Sequence, residues 1–333
     1  MKSYFIGIDI SKDTLDVCIL NSSNEKETVF KVENTVEGIE QMISSSFCKD
    51  SKLHYCFENT GNYGLLLARM LEDQQIPYYQ IPALEIKLSQ GIQRGKNDKV
   101  DARRIAKYAK MYSQDIKPYV LPEKVLFTVK NLLTYRNLLI KVRTQFKNEE
   151  KSFYQVSKIA DVGYEMDDIA FHIQQLNKKI SLTEEKIKEE ISKEERINRN
   201  FEKITKVKGV GFLTGAYMIV LTNNFTSFQN PRKFNCYAGL APFEHASGTS
   251  IKGKTKTSKL RNKRIKTVLF NGANSAIIYD EELKAYYKRK KQQGKAHNSI
   301  INAVCCKLVY RMFAVVKREE PFVNLIRYNL HMS

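Results

Sequence analysis

No run in this 333-residue chain approaches the ~20 apolar residues that a bilayer-spanning helix needs, although apolar residues make up 42% of it. Its first residues, Met1-Lys2-Ser3-Tyr4-Phe5, pass at once into a strand-like pattern and leave no place for a secretory signal. Six cysteines, at 18, 48, 56, 236, 305 and 306, include no C-x-x-C pair, and several sit in apolar runs as buried reduced thiols do. Five scattered histidines with no H-E-x-x-H argue against a structural zinc site. The expectation is a soluble cytoplasmic protein without a membrane partner, long enough for two or three domains.

What the chain does have is a lopsided positive charge. Its formal net charge is +19, from 55 basic and 36 acidic residues. Residues 1–112 hold fifteen of each sign and are neutral, so the whole excess lies in residues 113–333. A neutral first part with clustered acids, followed by a strongly basic remainder, implies chemistry on a polyanion.

The first part alternates in a readable order. Tyr4–Ile10, Leu15–Leu20 and Thr28–Val32 read as strands, with Asp9 near the end of the first. A helix over Val36–Ser46, a strand over Leu53–Glu58, a helix over Tyr63–Asp73 and a strand over Ile76–Ile81 follow. After an indeterminate segment, a helix starts at Asp98. In it Ala102, Ile105, Ala106 and Ala109 form the apolar stripe, and Asp98 and Asp101, three apart, are neighbours on one face. Taken singly, Asp98 is a helix N-cap with Asp101 in a favoured first turn, Asp9 a strand-end turn residue and Glu58 a solvated loop acid.

Taken together, acids at the ends of the first and fourth strands and on a roofing helix make the layout of an α/β RNase H-like (RuvC-like) nuclease domain. A three-strand meander with helical crossovers to parallel strands brings strand ends side by side. Carboxylates gathered there suit Mg²⁺, which prefers hard oxygen ligands, and paired ions serve in-line phosphoryl transfer. The hairpin Gly7-Ile8-Asp9-Ile10-Ser11 also loosely resembles the first phosphate loop of actin-like ATPases. Those folds need glycine just after the aspartate, where Ile10 and Ser11 stand, and no matching second loop follows.

Pro118–Pro122 marks a boundary. Beyond it Leu132, Leu139, Phe146 and Phe153 recur every seven residues; a polar break over Ser157–Asp168 separates them from Ile169, Ile173, Leu176, Ile180, Ile187 and Ile191, a series that Thr183 interrupts. The pattern predicts an antiparallel helical hairpin or an oligomerising coiled coil with a solvated Lys/Glu face. Next, Gly209-Val210-Gly211 between two short helices fits either a helix-hairpin-helix, whose backbone holds a phosphate, or a plain helix–turn–helix connection. Phe225–Tyr237 is aromatic-rich, Ala238–Pro242 reads as a loop, and His245–Ser250 follows it. From Lys252 to Lys266 eight cations (Lys252, Lys254, Lys256, Lys259, Arg261, Lys263, Arg264, Lys266) occur without an acid, a density that calls for a bound anion. A helix through Val268 and Ala276, the basic run Lys284–Lys291 and a last apolar helix over Ile300–Val315 complete a mainly α part. Domain limits of 1–117, 118–200 and 201–333 follow.

Gly7-Ile8-Asp9-Ile10-Ser11-Lys12, Phe57-Glu58-Asn59-Thr60-Gly61 and Lys96-Asn97-Asp98-Lys99-Val100-Asp101-Ala102 resemble the DEDD signature of a family of insertion-sequence transposases. Tyr237–Pro242 through Ser247-Gly248 resembles that family's second, serine-bearing domain, and Ser258–Arg264 its basic motif, with Arg261 where the family usually has glycine. The resemblance implies a resolvase-like first domain that binds Mg²⁺ or Mn²⁺ through Asp9, Glu58, Asp98 and Asp101. It implies Ser247 as nucleophile, although as a residue alone Ser247 is an ordinary loop serine. It further implies donor and target DNA and a noncoding bridge RNA as partners. A dimer or tetramer with sites shared between protomers and a nucleoid-associated location in a bacterial cytoplasm are implied as well. On this reading Gly209, Gly211, Lys252, Lys254, Lys256, Lys259, Arg261, Lys263 and Arg264 contact nucleic acid. The alternative is a Mg²⁺-dependent junction nuclease that hydrolyses DNA with no covalent intermediate.

Overall fold

Lys2–Ile10 forms β1, the middle strand of a five-stranded mixed sheet. The computed structural model describes residues 2–23, 26–46, 51–59, 61–89, 98–228, 230–247, 251–257 and 261–318; the side chains of 2, 46, 244–247 and 251–256 are outside that description. β2 (Thr14–Asn21) and β3 (Glu27–Glu33) extend the sheet as an antiparallel meander. α1 (Val36–Ser46) leads to β4 (Ser51–Glu58), parallel to β1, and α2 (Leu65–Asp73) leads to β5 (Tyr78–Ile81), parallel to β4. The order is β3-β2-β1-β4-β5.

Two differences from the sequence reading have local causes. α2 begins at Leu65, because 61–64 form a turn. β5 begins at Tyr78 and not at Ile76: Gln75 takes a left-handed backbone (φ 58°), and Pro77 has no N–H to give a sheet. The indeterminate segment contains a short helix, α3 (Ala83–Ser89), before α4 (Asp98–Tyr112).

Period-two alternation splits the sheet into two faces. Ile6, Ile8, Ile10, Leu15, Val17 and Phe57 pack with Ile39 and Met42 of α1 and Leu67 and Leu71 of α2. Phe5, Cys18, Leu20 and Cys56 face the other way, against Ala102, Ile105, Ala106 and Ala109 of α4. The four residues of the expected stripe are thus all buried. Gly7 lies on this second face, and a Cβ there would collide with the Ala102 carbonyl and the Ala106 amide. The missing side chain lets helix backbone rest directly on strand backbone.

The chain divides into two compact units, Met1–Leu121 and Pro122–Ser333. The second opens with α5 (Lys124–Val156) and α6 (Gly163–Ser192). They pack antiparallel, with Arg136 bonded to Glu184 (2.6 Å), Arg143 to Asn177 (2.9 Å) and Phe146 stacked on His172. The interrupting Thr183 is tolerated in the seam because its hydroxyl bonds back to the Lys179 carbonyl. α7 (Glu195–Thr205), α8 (Phe212–Leu221) and α9 (Pro231–Tyr237) follow, then a hairpin of β6 (Pro242–Ser247) and β7 (Ile251–Thr257). α10 (Lys263–Tyr279), α11 (Glu281–Gln292) and α12 (His297–Arg318) complete the described residues. One core holds Leu126 and Leu133 of α5, Ile187 of α6, Met218 of α8, Leu269 of α10 and Leu308 of α12.

By length and composition alone α12 is apolar enough to cross a membrane, contrary to the expectation that no segment comes near that. Lys307 and Arg311 interrupt its apolar residues in the sequence, which hid its length. Ile300, Ile301, Val304, Leu308 and Met312 are buried in the core. Arg311 bonds Asp280 (2.9 Å) and Glu282 (2.6 Å), fastening the start of α11 to α12. Asp280 is 0% exposed and also caps α11 by accepting from the Leu283 amide.

Candidate active site

Four expected acids are set around the end of β1. Asp9 is two residues beyond Gly7, on the α4 face, and Glu58 ends β4 two residues beyond Cys56 on the same face. Asp98 and Asp101 occupy the first turn of α4. Because Gly7 sits under Ala102 and Ala106, the turn that precedes Ala102 comes over Asp9. Asp9 consequently has a pKa raised from 3.8 to about 6, first by burial and then by Asp101, Asp98, Glu58 and Asp16. The acids act as one electrostatic neighbourhood. Even so, among the described residues no three His, Cys, Asp or Glu are drawn close enough together to hold a metal ion in this geometry.

Part of the reason is a local counter-ion. Arg104, one turn on from Asp101, bonds its carboxylate at 2.6 Å, with both groups mostly covered. Neighbouring cations are likewise engaged: Arg103 (2.9 Å) and Lys107 (3.6 Å) both reach Glu27, which ties α4 to the start of β3. The donor set itself suits a hard divalent cation. All four residues offer carboxylate oxygen, and a positive ion would relieve the repulsion that raises Asp9.

Sequence reasoning missed Asp16. It stands directly across from Asp9 in the β1–β2 register, is buried, and pairs with Lys31 of β3 at 3.2 Å. A charge between Leu15 and Val17, in a strand otherwise apolar, was the available signal. Gly7 stood in the motif, but its packing role was missed; a glycine within a strand marks close backbone approach.

In the second unit, the Gly-Val-Gly turn joins α7 to α8 as expected, but its two glycines differ. Gly209 has φ 88°, and a Cβ there would lie 2.6 Å from Ala276 Cβ and 2.7 Å from the Gly272 carbonyl oxygen. It is therefore fixed by packing on α10. Gly211 caps α8 and has open space around it.

Ser247 is the last residue of β6, opposite Ile251, and not in a loop as expected from sequence. Lys252, Lys254 and Lys256 lie on β7, whose side chains are outside the description, and Lys259 falls outside the described residues altogether, as do Lys96, Asn97 and Gly248. What leads into the hairpin is firmly held. Lys266 donates to the Gly239 carbonyl (2.8 Å) and Asn302 to that of Leu240 (2.7 Å). Burial and Arg261 lower the Lys266 pKa. Asn262 caps α10 by accepting from the Arg264 and Ile265 amides, and donates to the Tyr237 hydroxyl at 2.8 Å. Arg261 covers Gly239 with its aliphatic stem. Lys263 and Arg264 are exposed, and Arg264 donates from Nε to the Tyr217 hydroxyl (3.2 Å). Asn262, Asn302 and Tyr217 gave no sequence signal, since their partners are 25 to 80 residues away.

Comparison with known proteins agrees with both halves. A model for DEDD transposases of the IS110 type matches residues 6–155, and one described as the transposase IS116/IS110/IS902 family matches residues 201–288. The pilin gene-inverting protein of Moraxella bovis is 28% identical over 338 residues, covering 97% of this chain and 98% of that protein. The transposase for insertion sequence element IS1111A of Coxiella burnetii is 22% identical over 257 residues, 69% of each. The chain is an enzyme of the transposase and recombinase class, acting on DNA. Within that class it belongs to the family of DEDD-type insertion-sequence transposases.

Proposed function

We propose that this enzyme cuts and rejoins donor and target DNA with divalent metal held by Asp9, Glu58, Asp98 and Asp101 and with Ser247 as nucleophile. The observation that carries the metal reading is the raised pKa of Asp9, produced at the end of β1 by burial and by the other three acids. The strand order, a meander extended by parallel crossovers, supports an RNase H-like domain. Mg²⁺ or Mn²⁺ bound there supplies Lewis-acid stabilisation of phosphoryl oxygens. Asp9 and Glu58 at the strand ends and Asp98 and Asp101 on α4 would hold the ion, with Asp101 then exchanging its present partner Arg104 for it.

Ser247 closes a strand that is paired with the lysine-rich β7. Its hydroxyl oxygen forms a bond to the scissile phosphorus as the bond to the leaving sugar oxygen breaks. The serine proton passes to solvent, and the departing oxygen keeps the electron pair and is protonated. The strand stays covalently attached, so the bond energy is kept for religation. A relative named for gene inversion supports rejoining over hydrolysis, because inversion needs every end resealed. A bridge RNA that pairs with both DNAs is the guide in this reading, and the +19 charge carried outside the first 112 residues supports nucleic-acid partners in general. Gly211, with open space at the start of α8, supports a helix-hairpin-helix contact to phosphate. Tyr154, Ile159, Tyr164 and Phe171, exposed around the α5–α6 turn, support a homo-oligomer that covers them.

The test is Ser247→Ala. It removes one oxygen at a strand end, and folding and DNA binding stay as in the wild type. Cleavage and recombination disappear, while wild-type protein forms a DNA adduct that survives a denaturing gel. An alanine variant that still cuts, with no adduct trapped from the wild type, hands the site to the hydrolytic junction nuclease.

A further inference from the structure

α11 carries Lys284, Lys288, Arg289, Lys290 and Lys291 within twelve residues. Lys284, Lys288 and Lys291 follow the i, i+4, i+7 spacing, so they lie within about 60° of one another around the helix. All three are exposed, and among the described residues none has an ion pair. Two of the three acids at this end of the helix, Asp280 and Glu282, bond Arg311; the third, Glu281, lies one turn from Lys284 and farther from Lys288 and Lys291. Like charges at this spacing repel and weaken a helix. The helix dipole explains cations in the last turn, but not Lys284, which is close to the N-terminus where the dipole opposes it.

The stripe is presented rigidly. Asp280 caps α11 and joins it to α12 through Arg311, while Leu283 is buried in the core. The aromatic side chains on this helix are already covered. Tyr286 lies beneath Lys307 and Arg289, and Tyr287 meets His297. Neither ring of α11 itself is left bare for an unpaired base to stack on, although Tyr279 just before it and Tyr310 of α12 are exposed. What remains is a straight row of three ammonium groups spaced about 6 and about 4.5 Å along the helix. One strand of a B-form duplex carries a phosphate per ~3.4 Å of its axis, and three long, flexible lysine stems set along ~10 Å of helix can reach a short run of them.

We propose that this face of α11 docks the phosphate backbone of duplex DNA, at a place separate from the Lys252–Arg264 segment. The inference rests on the reading that the enzyme works on DNA, and adds a surface that the cleavage chemistry does not require. It binds without reading sequence, since lysines on phosphates carry register and not base identity.

The experiment compares full-length wild type with Lys284→Gln/Lys288→Gln/Lys291→Gln, titrating a random-sequence DNA duplex and a single-stranded RNA by fluorescence anisotropy over a range of salt. A control, Lys178→Gln/Lys179→Gln/Lys186→Gln on exposed positions of α6, makes the same change in net charge. For the α11 variant, duplex affinity falls about 10- to 100-fold and the log–log salt slope flattens by about 2.7, from ~0.9 per phosphate contact. RNA affinity and melting temperature hold, and the α6 control keeps the wild-type slope. An unchanged slope, an equal loss in the control, or a loss confined to RNA each overturns the proposal. Wild-type protein that fails to bind duplex DNA refutes the DNA-acting reading itself. Wild-type binding with an unaffected variant refutes the α11 surface alone.

Discussion

Replacing Asp9 with asparagine makes the metal-free enzyme more stable at neutral pH, the opposite of what loss of a partly buried side chain at a strand end normally does. The folded pKa of Asp9 is about 6 against an ordinary 3.8. Folding thus favours the protonated acid. This contribution to stability is fully present below pH 3.8 and is lost as pH rises through about 6. Above that, the fold holds a carboxylate that burial and its neighbouring acids oppose. The shift is worth at most ~3 kcal/mol, and solvent screening of a half-buried group brings it to about 1–1.5 kcal/mol. The asparagine side chain has nearly the same shape and no charge, so Asp9→Asn recovers that amount and raises the melting temperature by about 3–6 °C. The assay is thermal melting of full-length protein in chelator from about pH 4 to about pH 8, a window that brackets the folded pKa. The two curves coincide at the acid end, where both side chains are neutral, and diverge as pH rises. Adding Mg²⁺ or Mn²⁺ reverses the order: wild type gains stability from binding and the variant does not. A variant less stable than wild type across the whole range, with no pH-dependent gap, refutes repulsion as the dominant force on Asp9.

Gly7→Ala drives a methyl into the backbone of α4 and costs about 1–3 kcal/mol of stability; DNA cleavage is lost and duplex binding retained, read by melting and a nicking assay side by side. Gly209→Ala destabilises by a similar amount or more, because its φ of 88° and the contacts with Ala276 and Gly272 both resist a Cβ; chemical denaturation reads the loss. Gly211→Ala meets no steric clash and costs only the difference between two N-cap residues, under about 1 kcal/mol by chemical denaturation, and weakens nucleic-acid binding; normal binding by that variant removes the phosphate contact.

Where the sequence was legible, a periodic pattern had a buried face to enforce it. Ile6, Ile8 and Ile10 alternate because one side of β1 is covered by α1 and α2. Ala102, Ile105, Ala106 and Ala109 repeat because α4 lies on the other side. The β6–β7 hairpin was missed because Ile251-Lys252-Gly253-Lys254-Thr255-Lys256-Thr257 has no apolar alternation and depends on cross-strand pairing. α3 has one buried residue, Ile86, too little for a helical period to register. Of the acids, Asp9, Glu58, Asp98 and Asp101 could be found because each lies at or near the end or beginning of an element. Asp16 showed only as a lone charge in an apolar strand, and its pairing with Lys31 did not show at all, because only the β2–β3 register brings the two together.

The bare seat at Gly7 has a consequence for anyone reshaping this enzyme. Side-chain packing is forgiving: Ile6 and Ile8 can be exchanged for residues of similar volume while their neighbours readjust. A contact of main chain on main chain has no such slack, and every alternative residue at position 7 is a wedge under the helix that carries two of the acids. Libraries that touch α4 must therefore leave position 7 as glycine and spare Asp98, Asp101, Arg103, Arg104 and Lys107, which leaves Lys99 and Met111 as the outward positions open to change.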